Sequence, residues 1–241
     1  VNFTKVTNKV KELADGVESI MLGGFVEPQI RAQAGYTYPN IYGKAFKRTA
    51  DGQLLLDANG LPQSTAANVN LGECAPDFNM GFNLHAHYKN LSLSATMDWQ
   101  KGGCMYNGTL LTMNYFGTTK ESLPYHEGTM VAEGINEATG AKNTVVVSKQ
   151  AYYQAYNDVT EAGIFDTSFL KLRDVTLSYQ FPKIAGINLS VYGFARNILL
   201  WAKMPNLDPE SSQGNNNMGG YFERFSVPNT SSFGGGFKVT F

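Results

Sequence analysis

Two histidines and one aspartate are the first residues that could carry chemistry. His85 and His87 are two positions apart, so on a β-strand their side chains point the same way and could bind a metal ion. No third ligand follows at the spacing of a metal site, because His126 lies in a distant segment. We therefore expect solvated histidines rather than metal ligands. Asp98 is expected to be solvated as well, and the alternatives are a hydrogen bond across a strand pair, to a neighbouring domain or to a bound solute.

Two cysteines could form a disulfide. Cys74 and Cys104 lie on either side of an expected hairpin whose turn is at Lys89-Asn90, and they are one residue out of register with each other. A register step or a bulge near Gly102-Gly103 could bring their Cα atoms within the roughly 4.4–6.8 Å that a disulfide needs. We take Cys74 and Cys104 as a candidate disulfide, and two free buried thiols are the alternative.

Motifs for catalysis are missing from the sequence. There is no Gly-x-Ser-x-Gly elbow, no credible Ser/His/Asp set and no metal motif. The glycine run 234–236 is not followed by the Lys-Ser/Thr of a phosphate loop, and we expect it to allow close packing of a neighbouring strand or domain. Asp208 and Glu210 are interpreted as loop polarity. The sequence therefore predicts neither an enzyme nor a cofactor.

Period-two alternation predicts the elements that position these residues. Residues 78–88 and 91–100 alternate between apolar and polar side chains around the tight turn, which predicts an antiparallel hairpin. Further strands are predicted at 1–8, 169–181, 187–201 and 233–241. Within 169–181 the apolar residues change parity, which predicts a bulge near Arg173-Asp174. A short helix is predicted around residues 152–156.

The connections between these strands separate two all-β architectures, a soluble sandwich and a membrane barrel. Tiny turns follow residues 88 and 181, whereas the connections after residues 8, 101 and 201 run from about thirty to above sixty residues. Strict alternation of short and long connections is typical of a transmembrane β-barrel with short periplasmic turns and long extracellular loops. Tyr88, Tyr179 and Phe181 would then mark the periplasmic aromatic belt, and Trp99 the outer one.

Composition is compatible with that interpretation. The 241 residues carry a formal net charge of -1, so nothing indicates a nucleic-acid partner. Only 16% of the residues are charged, and no run of about 18 apolar residues predicts a transmembrane helix. Six strands cannot close a wide barrel, so we expect the chain to be part of a larger one.

Several segments, in the right order, resemble SusC/RagA-type TonB-dependent outer-membrane transporters. These segments are 71–78 (LGECAPDF), 88–93 (YKNLSL), 98–103 (DWQKGG), 166–179 (DTSFLKLRDVTLSY), 195–199 (ARNIL), 208–210 (DPE) and 237–241 (FKVTF). The resemblance covers essentially the whole chain. It implies that residues 1–241 are the C-terminal portion, about six strands, of a plugged barrel of about 22 antiparallel strands. The plug, the TonB-contacting segment and the other strands are expected to precede Val1, and Phe241 resembles the C-terminal aromatic signal for barrel insertion.

The resemblance also implies a function and partners. The expected function is import of glycan or peptide nutrients across the outer membrane of a Gram-negative, Bacteroidota-like cell. The expected partners are a SusD-like surface lipoprotein, TonB acting through the missing N-terminal part, and outer-membrane lipid or lipopolysaccharide. Two alternatives stay open at this point: a barrel that serves as a surface adhesin or structural anchor without transporting, and a soluble carbohydrate-binding sandwich.

Overall fold

The computed structural model describes residues 1–183, 186–213 and 221–241, and the described chain is mainly β-structure with two α-helices. Five strands are long: β7 (Phe78–Tyr88), β8 (Leu91–Lys101), β14 (Phe169–Gln180), β15 (Asn188–Ala202) and β17 (Ser232–Thr240). The short strands are β1 (Asn2–Thr4), β2 (Ser19–Gly24), β3 (Gln29–Gln33), β4 (Asn40–Gly43), β5 (Leu55–Leu56), β6 (Val69–Glu73), β9 (Cys104–Asn107), β10 (Thr129–Val131), β11 (Ile135–Asn136), β12 (Val146–Ser148), β13 (Ile164–Asp166) and β16 (Phe222–Glu223). The helices are α1 (Gly108–Tyr115) and α2 (Lys149–Asn157).

The long strands form one antiparallel sheet in the order β1-β7-β8-β14-β15-β17. The register of the predicted hairpin is confirmed, because Phe78 pairs with Lys101 and Tyr88 with Leu91. The first strand is shorter than the predicted 1–8. Only Asn2–Thr4 pairs with β7, and the chain then leaves the sheet. Of the predicted turn after residue 181, residues 184 and 185 lie outside the described residues.

A β-bulge interrupts β14 at the predicted place. Against β8, Leu172 and Asp174 pair with the adjacent residues Met97 and Thr96, so Arg173 is the extra residue. Against β15 the same two residues pair with Leu199 and Arg196, so the extra residue of that strand pair lies on β15. A bulge places two residues opposite one on the partner strand and so reverses the parity of everything beyond it. For that reason Lys171 and Asp174 point to the same face of the sheet although their numbers differ by an odd number.

The sheet has an apolar face and no core of its own. Within its five long strands only Gly81, Phe169 and Lys171 are buried. Leu177 is 48% exposed and Val191 38%, and neither lies in a compact core. No other described element covers this apolar face, as lipid contact requires, and this argues against the soluble sandwich.

Aromatic side chains mark the two ends of this apolar face. Two rows of paired residues cross the sheet: Phe3, Met80, Trp99, Leu170 and Trp201 at one end, and Tyr88, Leu91, Tyr179, Val191 and Phe237 at the other. Eight residue steps separate the rows along β8, which is about 27 Å along the strand and about 20 Å along the barrel axis for a tilt of about 40°. That height is close to the apolar band of about 25 Å between the aromatic girdles of membrane barrels.

The connections on one end of the sheet are folded structures. We call residues 5–77 loop 1, residues 102–168 loop 2 and residues 203–231 loop 3, and the three together the cap. One cluster of buried side chains joins all three loops, with Ile30 and Ile41 from loop 1, Tyr106 from loop 2 and Phe222 from loop 3. The hydrophobic core of the described chain therefore lies in the cap.

Other contacts fasten the loops to one another. Strand β9 of loop 2 pairs with β16 of loop 3, and a second cluster packs Leu56 of loop 1 against Ala132 and Tyr152 of loop 2. The Arg48 guanidinium donates to both carboxylate oxygens of Glu161 at 2.7 and 2.9 Å. The three loops thus form one packed unit rather than three separate excursions.

Both helices lie in loop 2 and begin at side-chain caps. The predicted tyrosine helix is α2, where Ser148 Oγ accepts a hydrogen bond from the Ala151 amide at 3.2 Å. Helix α1 was not predicted, because its Gly and Thr residues have low helix propensity. Asn107 Oδ1 caps it by accepting from the Leu110 amide at 2.9 Å. No helix in the described part of the chain combines the length and apolar character needed to cross a membrane.

Candidate functional site: a polar wall beneath the cap

The face of the sheet opposite the aromatic rows is lined with polar side chains. Strand pairing sets these residues in rows, such as Asn83, Thr96 and Asp174 in one and His85, Ser94 and Thr176 in the next. Thr96 Oγ1 donates to Asn83 Oδ1 across one strand pair at 3.2 Å. We call this face the polar wall. In a barrel it faces the lumen, because the apolar face is the one that meets lipid.

The two histidines lie on the polar wall, as predicted. His87 Nδ1 forms a hydrogen bond with Ser92 Oγ across the hairpin at 2.8 Å. Within the described residues no group of three metal-ligating side chains includes His85 or His87.

Asp98 is not simply solvated, which corrects the favoured expectation. Its carboxylate accepts a hydrogen bond from Arg173 Nε of the neighbouring strand at 2.8 Å. The bulge at Arg173 makes this contact possible, because the extra residue projects from a strand whose parity has just changed. The hydrogen bond across the strand pair was one of the less favoured alternatives.

Asp208 and Glu210 are not mere loop polarity, and this expectation was wrong. Both carboxylates are bonded to Lys171, whose side chain is only 2% exposed, and Glu210 lies 2.9 Å from the lysine ammonium. Arg173 also donates to both oxygens of Glu210. We call these four residues with Asp98 the ion cluster. It ties loop 3 to the outer end of the polar wall.

Asp208 and Glu210 are held in their charged form. Burial alone would raise the pKa of Asp208, but hydrogen bonds from Lys171 and Asn229 outweigh it and lower the pKa. Burial also opposes ionisation of Glu210, yet hydrogen bonds from Arg173 and Lys171 lower its pKa. A signal for the cluster existed in the sequence. Lys171 and Arg173 flank Leu172 in a strand, and two acids follow at a spacing of two in loop 3.

The terminal glycines make room for aromatic rings on the polar wall. A Cβ at Gly234 would come within 2.6 Å of Phe194 Cζ, and one at Gly236 within 2.8 Å of the Tyr192 hydroxyl. Phe194 pairs with Gly234 and Tyr192 with Gly236 across β15 and β17. Close packing of a neighbouring strand, expected for this glycine run, is therefore present as two rings lying over glycine backbone.

Cys74 and Cys104 come together at the base of the cap, in the cluster shared by the three loops. Both are free thiols in the structure. Gly102 and Gly103, each with positive φ, turn the chain between β8 and Cys104. Burial raises the pKa of the Cys74 thiol, and a hydrogen bond with Cys104 raises it further. The proposed disulfide stays a prediction, as does the role of Phe241, whose side chain is 94% exposed beyond β17.

The two faces of the sheet have opposite chemical character. A sheet with an apolar outer face, a polar inner face and folded loops at one end is the wall of an antiparallel transmembrane β-barrel. Within the described residues the polar wall presents hydroxyls, amides and paired charges. Such groups can contact a solute without reacting with it.

Comparison with known proteins finds similarity to TonB-dependent receptors. The chain is 25% identical to TonB-dependent receptor P3 of Formosa agariphila over 90% of its length, and 29% identical to TonB-dependent receptor P26 of the same organism over 88%. It spans only 23% of the length of each receptor. No family model matches the chain. The relatives are receptors, in agreement with the prediction that the chain is not an enzyme.

Solved structures show the same fold. The RagAB peptide importer in its open-open state superposes with a TM-score of 0.61 at 18% identity, covering 99% of this chain and 26% of the importer chain. A structure of the RagAB peptide transporter gives a TM-score of 0.59 at 20% identity, covering 98% and 26%. The resemblance to SusC/RagA-type TonB-dependent receptors, predicted from the motifs, is confirmed. The count of about 22 strands and the C-terminal position of the chain stay predictions.

Proposed function

We propose that this chain is part of the barrel of a TonB-dependent importer that takes up glycan or peptide nutrients across the outer membrane. The observation that carries the proposal is the coreless sheet, apolar outside and polar inside, beneath a cap made of its own loops. The similarity to TonB-dependent receptors over about nine-tenths of the chain supports the same function. The polar wall would line the path of the nutrient, and the cap would surround its entrance.

The proposal includes partners that the resemblance implies. A SusD-like surface lipoprotein would close over the entrance, TonB would act through a part of the protein outside these 241 residues, and membrane lipid would contact the aromatic rows. The ion cluster supports a fixed entrance, because it holds loop 3 against the wall.

Uptake by cells that carry or lack the full-length protein tests the proposal. We expect deletion of its gene to abolish growth on a particular glycan or peptide mixture, and a protonophore to stop uptake in the parent strain. The lipoprotein is expected to co-purify with the full-length protein from detergent-solubilised outer membranes. Unchanged uptake of all nutrients, together with lost surface adhesion or envelope integrity, would favour the anchor alternative instead.

A further inference from the structure

The sheet of loop 1 ends in an exposed apolar strand. Strand β2 is the outermost strand of the four-stranded sheet β2-β3-β4-β6, and no other described strand pairs with its outer edge. Apolar side chains in and beside β2 are from 38% to 85% exposed: Val17, Ile20, Met21 and Val26. A hydrophobic strand at a free sheet edge is a template for pairing with another strand.

The main chain of β2 has hydrogen-bonding groups that face away from β3. The Ala34 amide donates to the Glu18 carbonyl at 3.2 Å, so Glu18 and Ala34 form a hydrogen-bonded pair. Hydrogen-bonded and non-hydrogen-bonded pairs alternate along an antiparallel ladder, so the N–H and C=O groups of Ser19 and Met21 point outward. These four groups are placed to bond an added strand.

Strand β2 has few of the features that keep an edge strand from pairing. Residues 17–26 contain a single charged residue, Glu18, and neither lysine nor proline. A bulge between Met21 and Gly23 does interrupt the edge. Its extra residue, Leu22, packs against the cluster that joins the three loops. The free edge that accepts a partner is therefore the short regular stretch before the bulge.

The hairpin of β2 and β3 is held beside the open edge of the long-strand sheet. Strand β1 forms that edge, since it pairs only with β7 in the described chain. The Val10 amide donates to the Tyr36 carbonyl at 2.9 Å, and the Gly35 amide donates to the Val10 carbonyl at 2.8 Å, just past the end of β3. Val10 follows Thr4, the last residue of β1, by only six positions, which span at most about 20 Å. The start of β2 therefore lies near the place where the sheet has to be continued.

We propose that a strand from an outer loop elsewhere in the same full-length polypeptide pairs with β2. The inference rests on the barrel of the proposed function, because a six-stranded sheet needs further strands beside β1, and their outer connections rise on the same side as β2. The chain spans only 23% of the length of its receptor relatives, which leaves polypeptide for such a loop. The added strand bonds the main chain of Ser19 and Met21 and places apolar side chains beside Ile20 and Met21.

Photo-crosslinking of the full-length protein tests which molecule covers β2. The protein is purified in detergent from cells that lack the SusD-like lipoprotein, with p-benzoylphenylalanine incorporated at Met21. A cross-link should form to a peptide of the same polypeptide outside residues 1–241, and the product should run as a monomer in a denaturing gel. The matched control carries the photoreactive residue at Val146, which is 63% exposed on the edge strand β12, and it should give no such product.

Hydrogen exchange tests the main-chain pairing itself. In the full-length protein the amides of Ser19 and Met21 should exchange at least about tenfold more slowly than free amides, because both are hydrogen-bonded within a sheet. Met21→Lys should remove this protection at Ser19, since a charge then lies against apolar side chains. Val146→Lys should leave it unchanged, and the circular dichroism of the two variants should match.

Four results would overturn the inference: no cross-link at Met21, equal cross-linking at Val146, a cross-linked dimer, or free exchange at Ser19 until the lipoprotein is added. Loss of the importer function has a different meaning. If the barrel imports nothing, the cross-link and the slow exchange are still expected, because they depend on the complete barrel and not on transport. If uptake requires the protein but Ser19 exchanges freely, the importer stands and the added strand does not.

Discussion

Lys171 is the buried charge that the fold has to satisfy. Removing it leaves Asp208 without its cation and Glu210 with only Arg173, so Lys171→Met should loosen loop 3 by about 2–3 kcal/mol after allowance for the partial exposure of Glu210. Faster proteolytic cleavage within residues 203–213 of the folded full-length protein would show that loop 3 has been loosened. Lys203→Met is the matched control, because Lys203 pairs with Asp166 at 2.7 Å but is 60% exposed. Equal cleavage of the two variants would mean that the buried position has no special role.

The attachment of loop 3 to the polar wall should weaken at low pH. The lowered pKa values of Asp208 and Glu210 mean that their ionised forms stabilise the folded loop. This contribution is complete above the usual pKa values of about 3.9 and 4.3, and it is lost as the pH falls through the lower values of the folded state. Hydrogen exchange of residues 203–213 should therefore stay slow from neutral pH to about pH 4 and accelerate below it, relative to its intrinsic rate. In Lys171→Met the acid dependence should be weaker. Hydrogen exchange that already accelerates near neutral pH would contradict this account.

The cysteine pair gives a prediction about the mature protein. The cell envelope is oxidising, and the two thiols share one buried cluster, so we expect them to be joined when the protein is isolated from outer membranes. The thiol-oxidising system of the envelope would accept the two electrons and two protons released. Peptide mass mapping without reduction should find Cys74 linked to Cys104. Two unmodified thiols in protein alkylated under denaturing conditions would refute the disulfide.

At the scale of elements, glycines on β17 control how closely two strands pack their rings. In Gly234→Ala the new methyl group would meet Phe194 at 2.6 Å, so the ring has to leave its place. We expect the full-length barrel to unfold at a lower temperature, seen as a shift of its heat-modifiable band in SDS gels. Gly193→Ala is the control, because the nearest atom to its Cβ is 3.8 Å away. If both variants unfold at the same temperature, the close packing of Phe194 on Gly234 contributes nothing measurable to the thermal stability of the barrel.

Local patterns predicted the strands well. Alternation of apolar and polar residues in 78–100 determined a hairpin register that the pairing of Phe78 with Lys101 confirms. The change of parity near Arg173 predicted the bulge. Each strand residue must face either lipid or lumen, and the alternation of apolar and polar side chains indicates which of the two faces it occupies. The two faces of the sheet could therefore be predicted from the sequence alone.

Contacts between distant segments could not be predicted from these local patterns. The shared cluster of Ile30 and Phe222 joins residues 192 positions apart. Residues 29–34 do alternate between polar and apolar side chains, but alternation predicts which face of a strand is buried and not which distant segment covers it. The pairing of Lys171 with Asp208 and Glu210 was missed for the same reason. Each acid by itself is indistinguishable from ordinary loop polarity. Helix α1 depends on the Asn107 cap and on burial of Leu110 and Leu111, while its composition is unfavourable for a helix.

For the whole molecule, the cap should respond as one unit. Phe222 is 3% exposed in the cluster that joins the three loops, so Phe222→Ala should create a cavity at a cost of about 3–5 kcal/mol. Hydrogen exchange should increase in loops 1 and 2 as well as in loop 3, with little change in the long strands. Phe225→Ala, which removes a ring that is 64% exposed, is the matched control. Faster exchange confined to loop 3 would show that the loops fold independently.

In the proposed importer the cap faces outward, and its shared core determines how other molecules meet the cell surface. Segments from near both ends of the chain are neighbours there, so an antibody or phage protein that covers the cap contacts a discontinuous epitope. Linear peptides copied from any one loop should not elicit such antibodies, and they should not compete with the cap for binding to the antibody or phage protein. Immunisation against this surface would need the intact barrel as the antigen.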